Sequence, residues 1–339
     1  MRPSTSSRGS DRQGPGPAEE STGIPRRFLA RHTPGGATAR HGRHRRRQGS
    51  HLLVDLGLIL TATIWGLNFT VVKAALDEIG PLAFNALRFP CAAVAVWFLI
   101  RATGRRVMPL RKDWGIVLLL ALIGHVIFQI CFIFGLDWTA TGNAALLLST
   151  SPVWVLVISF AMGRERFNLR ILLGVLGTLA GMVILISGGH QELGAARIGD
   201  LLVLGAAVSW AAYTVLGRRL TRRRGALQMT AWTLWGGLPF IVLAGVPDLV
   251  RTDWSAVSLQ AWLGVVYAGV FAIGLAYLLW YRGVRVIGQN RTSVYQNLVP
   301  VVALLSAWLW LSETPTPQQL IGACVILCGV VVARRSRRR

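Results

Sequence analysis

From residue 52 onward the chain alternates between apolar runs of about 20 residues and short segments rich in Gly, Pro or charge. A run of that length, at about 1.5 Å per helical residue, crosses a hydrocarbon core about 30 Å thick. Ten such runs can be read, at 52–73, 81–100, 113–136, 140–162, 169–187, 198–217, 227–246, 260–281, 288–311 and 317–333. They predict an all-α, polytopic membrane protein of ten transmembrane helices.

Charge gives the predicted helices a direction. Only 15% of the 339 residues are charged, against roughly 25% in a soluble domain, yet the net charge is +22. Cytoplasmic segments retain Lys and Arg. Assigning both termini and every second loop to the cytoplasm puts 32 of the 36 basic residues there, leaving Arg197 and Arg251 opposite and Lys73 and Arg88 in or at the ends of helices. Both termini are therefore expected in the cytoplasm. This topology accounts for the basic pI of 11.6 without a nucleic-acid partner. Residues 1–51 read as a disordered basic tail, Arg/Gly/Ser/Pro-rich and lacking core-forming residues, and 334–339 as a second. The run Arg43 to Arg47 could touch anionic lipid heads, making membrane lipids one expected partner. No secretory signal peptide precedes the first helix, which is expected to act as its own insertion signal. The four cysteines lie in apolar runs and read as buried small hydrophobes.

The chain also repeats itself. An offset of 145 pairs Asp55 with Asp200, Trp65 with Trp210 and Lys73 with Arg218. Later the offset becomes 148 and pairs Gly135 with Gly283, Pro152 with Pro300, Glu165 with Glu313, Gly174 with Gly322 and Gly181 with Gly329. Two five-helix units follow, at 52–190 and 197–333. Because five is odd, the second must cross the membrane in the opposite sense. Inverted repeats are a hallmark of secondary transporters, whose solutes bind near the midplane between the halves.

The residues that carry this pattern are Trp65, Gly66, Asn68, Phe69, Lys73, Arg88, Pro152 and Glu165, then Trp210, Tyr213, Arg218, Pro300 and Glu313. In that order the chain resembles the EamA family of the drug/metabolite transporter superfamily over residues 52–334. The resemblance implies a ten-helix carrier of a bacterial cytoplasmic (inner) membrane, commonly an exporter of amino acids, metabolites or drugs, with a small-molecule solute as partner. It implies no particular substrate, and the long basic N-terminal tail departs from it.

Polar groups inside spans are costly and mark either a water-lined cavity or hydrogen bonds between helices. Arg88 is the sharpest candidate: no acid lies near it in its helix, and its repeat partner Thr233 is uncharged. It could hold a solute carboxylate or phosphate by paired hydrogen bonds, or bond backbone carbonyls or snorkel to the interface. Lys73, near a helix end, has the same choice. Trp65 and Asn68 share a helical face, and Trp210 and Tyr213 repeat the arrangement; either they wall a cavity or they pack helices. Tyr295, Gln296 and Asn297 precede Pro300 as Asn143, Ser149, Thr150 and Ser151 precede Pro152, and such Pro breaks can open backbone to a cavity. His125, four residues before Gln129, is the candidate for proton coupling, or a hydrogen-bonded structural residue. The glycines at 174, 177, 181, 322 and 329 form small-residue stripes for helix packing or a homodimer face.

The chemistry of enzymes is missing from the pattern. There is no His-Glu-x-x-His, no Gly-x-Ser-x-Gly, no phosphate-binding Gly-rich loop and no pair of intramembrane carboxylates. No catalytic residue, cofactor or metal is expected. The alternative to a carrier, a membrane-embedded enzyme acting on lipid-linked substrates, would need clustered acids or His at one face.

Overall fold

The computed structural model describes residues 36–104, 108–163, 169–187, 194–287 and 292–335. Among these every regular element is helical. The chain runs through α1 (Gly36–Leu76) and α2 (Pro81–Ala102). Next come α3, from Arg111 to Trp138, and α4, from Thr141 to Ala161. They are followed by α5 (Leu169–Ser187), α6 (Ala195–Arg224) and α7 (Ala226–Arg251). Last are α8, from Leu259 to Ile287, α9, from Ser293 to Leu311, and α10 (Pro317–Arg335). Seven are long and apolar enough to cross a membrane: Leu52–Leu76 of α1, then α2, α3, α4, α6, Leu227–Arg251 of α7 and Leu259–Trp280 of α8. Leu172–Leu185, Tyr295–Leu311 and Pro317–Val332 are shorter apolar helices. Residues 164–168 and 288–291, which include Glu165 and Asn290, lie outside the described residues.

The helices end where the local chemistry requires. Pro81 opens α2, where its missing N–H costs nothing. Gly225 separates α6 from α7 at φ 93°, a left-handed conformation that side chains disfavour. Within α4 the ladder breaks before Pro152. There the hydroxyls of Ser149, Thr150 and Ser151 each donate to the carbonyl three residues back, at 2.6 Å. That polar run satisfies the interruption locally. Two helices contain π segments: Leu122–Ile127 in α3 and Tyr267–Leu275 in α8. They fall at equivalent places, since 122–127 shifted by 148, the offset that pairs Gly135 with Gly283 in these same helices, is 270–275.

Packing within residues 47–339, one compact unit, repeats the offsets as pairs of contacts. At Gly135 of α3 a Cβ would strike Val203 of α6; at Gly283 of α8 it would strike Leu58 of α1. These are the same contact twice, because 135 corresponds to 283 and 58 to 203. Likewise Gly181 of α5 lies against Ile326 and the Gly322 carbonyl of α10, and Gly329 lies against Thr178 and the Gly174 carbonyl. Both stripes thus face each other inside one chain and bring α5 and α10 to close approach.

The outward surface is oily. Val250, Leu309, Leu243, Val183 and Trp310 are 64–80% exposed, far more apolar area than a soluble surface carries in contiguous patches. Cys324 and Cys328, expected buried, are exposed on α10, on a helix that also exposes Leu320 and Ile321; lipid suits a thiol as well as a core does. Cys91 and Cys131 are half-buried.

Candidate functional site

Arg88 is carried into the interior by α2 and is only 3% exposed. Its Nε donates to Asn85 Oδ1 at 2.9 Å and its Nη2 to Gln129 Oε1 of α3 at 2.5 Å. The guanidinium carbon stands 5.3 Å from the Phe84 ring, 5.7 Å from Phe89 and 5.9 Å from Phe132. The side chain therefore neither snorkels nor bonds backbone carbonyls. Side-chain amides and aromatic faces hold it, and no carboxylate among the described residues pairs with it. A buried cation in that state is costly, and cation–π contact offsets only part of the cost. Two of its five N–H donors are used, so the remaining donors can grip a bidentate anion.

Beside it lies the repeat-equivalent position. Thr233 Oγ1, on α7, is 3.0 Å from His125 Nε2 and 3.1 Å from Tyr213 Oη. All three residues are buried. Tyr213 stacks on Trp210 at 5.3 Å, and Phe128 meets Trp210 at 5.3 Å. His125 sits edge-on between Tyr213 and Phe89, so α2, α3, α6 and α7 converge here.

Trp65 closes the other side. Its Nε1 donates at 2.8 Å to the carbonyl of Ala272, inside the π segment of α8; a π turn leaves such a carbonyl room for a foreign donor. Its ring meets Tyr277 and Trp280 of α8. Tyr277 lies within electrostatic reach of both Arg88 and Tyr213. One turn on from Trp65, the Asn68 Oδ1 is enclosed without a hydrogen-bond partner. Its neighbour Phe69 packs on Phe132, under Arg88. Arg88 is thus joined through Phe89 to His125, Tyr213 and Trp210, and through Phe132 and Phe69 to the turn of α1 that carries Trp65 and Asn68.

Lys73 and Tyr295 lie elsewhere. Lys73 Nζ donates to the carbonyls of Leu136, Asp137 and Thr139 at 2.9, 2.5 and 3.2 Å. These belong to the last turn of α3 and the residue after it, whose carbonyls have no partners within the helix. Tyr295 Oη donates to Asp55 Oδ1 at 2.8 Å, joining the start of α9 to α1, and Gln296 and Asn297 lie in the same 3₁₀ turn. Around Lys73, Thr141 donates from N and Oγ1 to Glu313, and Gln319 donates to Asn143. At the turn after α1, Glu78 accepts from Ser258 N and Oγ, which holds its carboxyl below the usual carboxylate range. Near the opposite ends of the helices, Arg224 pairs with Asp113 at 2.9 Å.

Sequence reasoning missed Tyr277, Trp280 and Asn85. Tyr277 carried a signal, since the 148 offset makes it the counterpart of Gln129. Asn85 carried one as well, a polar residue one helical turn before Arg88 in the same apolar run; Trp280 had none, because only the approach of α8 to α1 makes it a neighbour of Trp65. An apolar cleft of about 380 Å³ opens between α1 and α8 past Val71, Gly264 and Tyr267; it has no charged lining. No group of three or more His, Cys, Asp or Glu among the described residues could hold a metal.

A bundle with so oily an exterior and a polar cluster sealed among its helices is a multi-pass membrane protein. Residues 52–187 and 197–335 each match the model of the EamA-like transporter family, and the chain belongs to that family. Relatives extend along most of it. It is 28% identical to the uncharacterized transporter YyaM of Bacillus subtilis over 84% of this chain and 94% of that protein. It is 27% identical to a protein of Streptantibioticus cattleyicolor named a probable terminal-alkyne amino-acid exporter, over 83% and 94%. It is 28% identical to one of Salmonella typhimurium named a probable amino-acid metabolite efflux pump, over 81% and 92%. A solved crystal structure superposes with a TM-score of 0.60 over 84% of this chain and 98% of its own, at 21% identity; that likeness speaks for the fold alone.

Proposed function

We propose that this transporter exports a small organic solute bearing a carboxylate, by alternating access around the central cluster, across a bacterial cytoplasmic membrane with both termini inside. The carrying observation is Arg88: a buried cation held by amides and aromatic rings, without a carboxylate partner and with donors to spare. A solute anion would supply the missing charge during the cycle. Trp65, Trp210 and Tyr213, with Tyr277 and Trp280, would form the apolar walls, and Asn68 would offer an acceptor. Lys73 and the Tyr295 to Asn297 turn would serve the ends of the helices. All ten helices would cross, the three shorter ones included, as two inverted five-helix halves. The reciprocal contacts of Gly135 with Val203 and Gly283 with Leu58 support that symmetry, and the basic loops support the orientation. The names of the relatives favour amino-acid-like solutes and outward transport.

The test is flux of a labelled amino-acid and metabolite panel in proteoliposomes, with and without a pH gradient. Arg88→Ala should lower flux of carboxylate-bearing solutes by about tenfold or more, the scale of a lost charge-assisted hydrogen bond. Arg88→Lys should recover only part of it, because an ammonium lacks the planar fork. Unchanged kinetics in folded Arg88→Ala would remove Arg88 from the site. Absence of flux for every solute from folded wild type would remove the transport reading itself.

A further inference from the structure

Lys73 stands in a cage of oxygens that a free ion could fill. Its Nζ donates to the backbone carbonyls of Leu136, Asp137 and Thr139 at 2.9, 2.5 and 3.2 Å. An ammonium has three N–H donors and no acceptor, one for each oxygen. The three oxygens converge because α3 ends at Trp138 and Thr139 turns to extended backbone. If the helix went on, the N–H of Thr141 would answer the Asp137 carbonyl four residues back; it is given to Glu313 Oε2 instead, at 2.9 Å. The Thr139 hydroxyl donates to Asp200 of α6, and the Thr141 hydroxyl to Glu313. The corner is thus pinned from two other helices, and its carbonyls keep their aim without help from Lys73.

The field at that point is negative. The C-terminal end of α3 directs its dipole there, and the carboxylates of Asp137, Glu313 and Asp77 lie within electrostatic reach of the ammonium. Three acids to one Lys leave the place negative even when it is occupied. Thr139 lies beyond the helix end, so the cage is more than the cap of a last turn. Carbonyls at the C-terminal ends of helix segments are what secondary transporters use to hold a coupling cation, and a carbonyl cage holds its ion by replacing the hydration shell. Two of the three oxygens here stand at 2.9 and 3.2 Å, farther out than the about 2.3–2.6 Å of oxygens around Ca²⁺. The place therefore fits a large monovalent ion, K⁺ or ammonium, better than a small one.

We propose that Lys73 is a tethered cation filling a monovalent-cation site built by the end of α3, so that the carrier's cycle runs without Na⁺ or K⁺. The site is a property of the fold and stands apart from the transport reading; the statement about the cycle rests on that reading. A side chain bound to α1 cannot be released on either side of the membrane, so no ion gradient is spent at this place.

Two measurements on the full chain test the two parts separately. Lys73→Ala and Lys73→Met both vacate the Nζ position, and the second keeps most of the stem should the first fail to fold. Thermal unfolding in detergent is compared in potassium, ammonium and choline chlorides at equal ionic strength; choline has no N–H and is too bulky for the cage. In the variants K⁺ or ammonium should recover about half or more of the lost unfolding temperature relative to choline, while the wild type should be indifferent to the three salts. Variants that unfold alike in all three salts would overturn the site and leave Lys73 a helix cap. A wild type stabilised by K⁺ over choline would overturn the claim that Lys73 fills it. In proteoliposomes, wild-type flux of whichever solute in the panel is carried should be the same when choline replaces Na⁺ and K⁺ on both sides. Lys73→Ala flux should fall in choline and recover with K⁺. Wild-type flux that needs Na⁺ or K⁺ would overturn the ion-free cycle. Absence of flux for every solute would remove the transport reading and leave the unfolding result to decide the site.

Discussion

Lys73 and Arg88 are single cations in apolar helices, and their neighbours separate them. The Lys73 ammonium is spent on three carbonyls at the end of α3, whereas Arg88 keeps donors in reserve. Lys73→Met should therefore behave as a lost helix cap and cost about 1–2 kcal/mol, seen as a lower unfolding temperature in detergent. An unaltered unfolding temperature with a raised solute KM would return Lys73 to the site. Both residues stood out in the sequence as charges in apolar runs. Which one had a partner did not, because the carbonyls around Lys73 come from α3 and the amides around Arg88 come partly from Gln129.

At the scale of elements, glycines decide how closely helices approach, and the two halves use them unequally. A Cβ at Gly135 would meet the backbone of Val203 and the Gly199 carbonyl, whereas at Gly283 it would meet only the flexible Leu58 side chain. Gly135→Ala should therefore destabilise by about 1–3 kcal/mol. Gly283→Ala should cost less, since the atoms in the way belong to one side chain, the buried Leu58, and Ala gains about 1 kcal/mol of helix propensity that offsets part of its displacement. Thermal unfolding of both variants in the same detergent checks the order. The glycine pairs were legible from sequence as matched offsets. The π segments in α3 and α8 were not, because no residue pattern in them distinguishes a π turn from an α turn. The Ala272 carbonyl that Trp65 takes lies inside one of those segments, so an unreadable detail sits beside a readable residue.

For the whole molecule, the proposed orientation rests on the basic loops and the repeat. On a cysteine-free background, Ser255→Cys should react with an impermeant thiol reagent in intact cells, and Thr103→Cys only after the membrane is opened. Reaction at Thr103→Cys from outside would reverse the topology. Ser255 lies in the α7–α8 loop and Thr103 just after α2, and the proposed topology puts them on opposite faces.

Hydrophobic run length and loop charge are properties of the chain alone. That is why the series of membrane-length apolar runs and the family were present in the sequence, whereas helix ends were not: α1 begins at Gly36, well before 52, and α6 runs on to Arg224, past 217. The central cluster required distances between residues far apart in the chain. His125 with Thr233, 108 positions apart, and Trp65 with Ala272, 207 apart, meet only when helices from both halves pack. A polar residue in an apolar run announces a cost, and the tertiary structure alone decides whether that cost is met by a helix end, as at Lys73, or by side-chain amides and aromatic rings, as at Arg88.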